Sequence, residues 1–107
     1  MDSLSYEMFC GSMLMGGVGD ERDRLLNSAL GLAGETGELV DLVKKHTYHD
    51  HPLDTARVLL EAGDVLFYLT ALVDQLGYGL DEVAEMNMDK LKARYPDGWD
   101  AERSKDH

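Results

Sequence analysis

The chain has 107 residues, 10 of them basic and 21 acidic, for a net charge of −11, and 44% of its residues are hydrophobic. That length and apolar content suit one domain, residues 1–107, while the acidic surplus repels phosphate backbones and argues against a nucleic-acid-binding module. The single cysteine, Cys10, excludes an intramolecular disulfide framework and fits a reducing compartment.

Four helices are expected in chain order, because the apolar spacing is mostly three or four and no segment alternates for long. The fold class is all-α, a four-helix bundle-like protomer that oligomerises through its helices. The first helix covers about Ser3 to Met15 and ends at the glycine-rich "GGVG", closing an N-terminal helix and hinge over residues 1–19. The start of the chain has no basic region followed by a long apolar run, so no export signal is expected.

The second helix runs from about Glu21 to His46. Its stretch "GLAGETGELVDLVKK" holds Gly31, Gly34 and Gly37 at three-residue spacing, with Glu35 and Glu38 among them. An interior glycine costs about 1 kcal/mol relative to alanine, so the bare backbone must admit a neighbouring helix or a ligand. Leu25, Ala29, Leu32, Ala33, Leu39, Val40 and Val43 form one apolar arc, with Glu35 at its edge. The loop "HTYHDHP" follows. Its His46, His49 and His51, even taken with Cys10, match no closed four-ligand zinc pattern and read as a solvated loop.

The third helix spans about Asp54 to Leu76 and is apolar nearly all round, the mark of a helix that is buried or shared with a partner subunit. Its stretch "VLLEAGDVLFYLTALV" is shorter than a membrane span of about 20 residues and carries two acids, so no membrane partner is expected and the protein reads as cytoplasmic. Those acids, Glu61 and Asp64, share one face. Left ionised and uncompensated among apolar neighbours they would cost several kcal/mol. Arg57 and Lys45 are the nearest cations by helical position, too few for two acid pairs on two helices. Hard divalent ions prefer carboxylate oxygens, and Glu35, Glu38, Glu61 and Asp64 together can supply one or two Mg2+ or Mn2+ sites. Solvent-facing acids lining a groove are the bland alternative.

After the turn "GYG", the fourth helix occupies about Leu80 to Tyr95 and stops before Pro96. Asn87, Lys90 and Arg94 fall on one stripe of it, able to meet a phosphate or a base together, or to form an ordinary polar face. Lys44 and Lys45 suit either phosphate contacts or a helix C-terminus. Met8, Met13, Met15, Met86 and Met88 are expected as core or interface filler, Trp99 as packed on the bundle, and residues 100–107 as a polar tail.

Three segments in order resemble the MazG-like all-α nucleotide pyrophosphohydrolases: "GLAGETGELVDLVKK" their E-x-x-E motif, "EAGDVLFYL" their E-x-x-D motif, and "NMDKLKARYPDGW" their third region. The resemblance extends from about Asn27 to Trp99. It implies Mg2+ bound by Glu35, Glu38, Glu61 and Asp64, with Mn2+ a substitute, and a substrate held with help from Asn87, Lys90 and Arg94; Lys45, from its place near the end of the second helix, is taken as a fourth substrate-binding residue. The reaction implied is hydrolysis of a (deoxy)nucleoside triphosphate to monophosphate and pyrophosphate by a homodimer or homotetramer. Many family members carry a further glutamate where this chain has Gly34, so a metal-bound hydroxide or a motif carboxylate, Glu35 or Glu38, must serve as the base. A phosphoribosyl-ATP pyrophosphohydrolase-like enzyme and a non-enzymatic helical dimerisation module are the competing readings.

Overall fold

In the computed structural model, which describes residues 1–14 and 19–102, the chain forms α1 (Ser3–Leu14), α2 (Glu21–Tyr48), α3 (Thr55–Gln75) and α4 (Leu80–Arg94). No strand occurs among the described residues, and the fold is all-α. Met15, most of the glycine-rich break and the end of the polar tail lie outside the described residues.

Local chemistry sets each boundary. Asp20 and Asp54 cap α2 and α3, their carboxylates accepting from Asp23 N at 3.0 Å and Arg57 N at 3.1 Å. Helix α2 runs two residues beyond the expected end, and Asp50 turns the chain out of it with φ at 53°, a left-handed conformation that aspartate tolerates better than most residues. Helix α3 closes in a Schellman motif: Gly77, at φ 85°, donates to Asp74 O, and Tyr78 donates to Val73 O. Helix α4 ends at Tyr95, whose φ −127° and ψ 69° show Pro96 pushing its predecessor out of the helical region.

Helices α2 and α3 form the main pair, and three contacts fix it as antiparallel. Ser28 meets Gln75 through a 2.8 Å hydrogen bond, Gly31 lies under the Tyr68 ring, and Glu35 approaches Glu61. Helix α1 packs on α3, and α4 packs against α1. Among the described residues the buried side chains are few: Thr70, Ala71 and Val73 of α3, Cys10 of α1, Ser28 of α2 and Tyr95 after α4. Thr70 satisfies its hydroxyl by donating to Leu66 O at 2.6 Å.

Several expected core residues lie outside this core. Met8, Met13, Met86 and Met88 are exposed, so they are not filler within this chain, and Trp99 is 72% exposed rather than packed on the bundle. Helix periodicity reports which residues share a face, not whether that face finds a partner in the same chain. The radius of gyration is 16.6 Å, against about 13 Å for a compact domain of 100 residues. The four helices form an open arrangement with much of its apolar surface uncovered.

Candidate metal centre

The 28-residue α2 and the 21-residue α3 lie side by side, and their antiparallel register brings one turn of each to the same level. There Glu35, Glu38 and Glu61 each present a carboxylate oxygen, all within 4.8 Å of one another. Two oxygens on opposite sides of a Mg2+ ion stand about 4.2 Å apart, given metal–oxygen distances of about 2.1 Å. A modest side-chain adjustment closes that gap.

The electrostatics are those of an uncompensated acid cluster. Glu35 and Glu61 are partly buried, and Oε2 of each is shielded from solvent without a hydrogen-bond partner. Glu61 has its pKa pushed up, first by the close approach of the Glu35 carboxyl, then by burial and by the charges of Glu35 and Asp64; Glu38 acts in the opposite sense. Lys45 is engaged elsewhere, in a 2.9 Å ion pair with Asp41 one turn earlier on α2. Two orphaned carboxylate oxygens among all-oxygen donors fit a hard divalent cation.

A cleft of about 440 Å³ opens beside the cluster, lined by Gly34, Gly37, Glu38, Asp41 and Lys45 of α2 and Arg57 and Glu61 of α3. The three glycines prove to have different roles. A Cβ on Gly31 would overlap the Tyr68 ring, so this glycine admits α3, whereas Gly34 and Gly37 face open space within 4 Å. Their bare backbone leaves room beside the acids that nothing among the described residues fills. Another cleft, of about 430 Å³, lies between the start of α2 and the end of α3 beside Arg22, Arg24 and Leu76, and holds none of these acids.

Asp64 is exposed on α3 and stands outside the 4.8 Å cluster, although its charge reaches Glu61. Lys45 lines the cleft. Asn87, Lys90 and Arg94 do not; they ride on α4, with the Arg94 guanidinium 5.9 Å from the Tyr95 ring centroid. The histidines of the loop form no metal cluster among the described residues, and His46 Nδ1 instead contacts His51 O at 2.9 Å. Asp41 and Arg57 join the cleft although the reading of the sequence gave Asp41 no role; its place three residues after Glu38 was the available signal.

Residues 25–99 match the MazG nucleotide pyrophosphohydrolase domain. The chain belongs to the MazG family. It is also similar to the Gene 37 protein of Mycobacterium phage L5, with 33% identity over 79 residues, covering 70% of this chain and 69% of the phage protein. No solved structure matches significantly. The MazG match takes in nearly all of α2, all of α3 and α4, and every acid of the cluster, and it leaves α1 outside. Among the described residues no helix is long and apolar enough to cross a membrane.

Proposed function

We propose that this MazG domain hydrolyses a nucleoside triphosphate to the monophosphate and pyrophosphate, with Mg2+ held by Glu35, Glu38 and Glu61 and by Asp64 after a side-chain rotation. The observation that carries the reading is the pair of buried, unpartnered oxygens on Glu35 and Glu61, set beside an open cleft in a chain of this family. When bound, the cation supplies charge neutralisation of phosphate oxygens and a lowered pKa for water. The chain's own residues do the rest. The open backbone at Gly34 and Gly37 admits the substrate, Lys45 and Arg57 line its path, and Glu35 or Glu38 takes the proton of the attacking water. The family resemblance adds Lys90 and Arg94 as phosphate contacts and Asn87 as a contact to a phosphate or the base, although none of the three lines the cleft of one chain.

Turnover of a panel of ribo- and deoxyribonucleoside triphosphates, with phosphate detected after added pyrophosphatase, tests this reading. Mg2+- or Mn2+-dependent release of pyrophosphate is expected, and activity that persists in excess EDTA would sink the metal assignment. Preference for phosphoribosyl-ATP over every triphosphate would replace the substrate class. Absence of both turnover and stoichiometric cation binding would leave a helical dimerisation module.

A further inference from the structure

The N-terminus of α4 is capped from another helix. Gly79 occupies the N-cap position and has no side chain to offer, and two carboxylates substitute for it. Glu82 Oε1 accepts from Gly79 N at 3.1 Å from within α4, and Glu7 Oε1, 73 residues away on α1, accepts from Leu80 N at 2.6 Å. One turn earlier on α1, Ser3 Oγ donates to Asp81 Oδ1 at 3.0 Å. A carboxylate at this end also meets the positive pole of the helix dipole.

Helix α1 thus ties α4 to the helix that carries Glu61 and Asp64. Cys10 of α1 is 1% exposed, and α1 packs on α3. Helix α4 has no buried residue of its own, so apolar packing holds it weakly and the bonds from Glu7 and Ser3 carry more of its placement. Lys90 lies ten residues beyond Leu80, about 15 Å along the axis, so a tilt of about 10° at that junction displaces it by about 2.6 Å. A displacement of that size breaks a hydrogen bond.

The geometry points to Glu7 as a positioning residue: its carboxylate anchors the N-terminus of α4 and so fixes where Lys90 and Arg94 stand. This inference rests on the proposed phosphate contacts of α4, and it lies in the helix that the MazG match does not reach.

The test uses the full chain. In Glu7→Ala, the Leu80 amide should lose hydrogen-exchange protection, and KM for the best nucleotide should rise by about tenfold, the scale of one charge-assisted hydrogen bond. The kcat and Mn2+ affinity should stay near wild type, because the acid cluster is untouched. Glu7→Gln, which keeps an acceptor oxygen, should restore most of the protection and of KM. In a Lys90→Ala background, Glu7→Ala should add less than it does alone, because Lys90 no longer carries its share of the effect. Unchanged Leu80 protection, unchanged KM, a parallel loss of Mn2+ affinity, or a fully multiplicative double variant each overturns the role. Where Glu7→Ala does not fold, Ser3→Ala loosens the same junction, and an unchanged KM there overturns it. If the wild type turns over no nucleotide, the hydrolase reading fails by itself and a non-hydrolysable triphosphate analogue judges Glu7. An analogue that the wild type does not bind, or that Glu7→Ala binds equally well, overturns the positioning role.

Discussion

Glu35 on α2 and Glu61 on α3 face each other across the helix pair, each with one carboxylate oxygen buried and without a hydrogen-bond partner. Their proximity raises the pKa of Glu61 and sets like charges against each other, so a divalent cation should stabilise the fold by relieving that repulsion. A cation at a hundred times its Kd contributes about 2.7 kcal/mol. For a domain of this size each 1 kcal/mol moves Tm by about 4–8 °C, so saturating Mn2+ should raise Tm by about 10 °C or more. Glu61→Gln should erase the rise while leaving the helical circular dichroism intact. Calorimetry with and without Mn2+ checks both, and an equal rise in the variant contradicts the assignment.

The glycines of α2 should separate into two classes. Gly31→Ala forces the Tyr68 ring to move and should destabilise by about 1–3 kcal/mol, the range for overpacking. At Gly34 and Gly37 a Cβ meets nothing within 4 Å, so alanine there should stabilise the helix by up to about 1 kcal/mol. If the substrate uses that space, both stabilised variants lose activity. Denaturant titration paired with nucleotide turnover reads the two effects independently, and full activity at both positions would leave the open backbone without a role in binding.

Lys90 and Arg94 test the contribution of α4. Neutralising either should reduce kcat/KM by about 1.5–3 kcal/mol in transition-state free energy if it touches the phosphates. A solvated face would show less than about 0.5 kcal/mol in stability and no kinetic change. Steady-state kinetics of Lys90→Ala and Arg94→Ala, each verified as folded, decide between these outcomes.

The uncovered apolar residues predict assembly. Leu59 and Leu60 on α3 are 66% and 72% exposed, and Leu26 and Leu30 on α2 are 58% and 63% exposed. Such a surface on so open a chain calls for a partner, and a second copy is the simplest one. Light scattering at micromolar concentration should give a dimer or tetramer, and Leu60→Glu should shift it toward monomer. A wild-type monomer under those conditions contradicts the expectation.

The helices were legible in the sequence, and their ends to within one or two residues, because the signals that set them are local. Asp20 and Asp54 cap the residues just after them, Gly77 supplies a left-handed turn, and Pro96 restrains its immediate predecessor; each effect spans a few residues. The acid pairs were legible for the same reason, since three-residue spacing places two carboxylates on one helix face. Only the tertiary structure decided that Glu35, Glu38 and Glu61 converge while Asp64 stands outside, because the α2–α3 register sets which turns meet. The same register gave Gly31 to Tyr68 and left Gly34 and Gly37 open. Trp99 and Met8, Met13, Met86 and Met88 stand exposed because amphipathic spacing cannot say whether a facing surface exists in the same chain. The capping of α4 by Glu7 was equally hidden, since a bond between residues 7 and 80 leaves no trace in any local pattern.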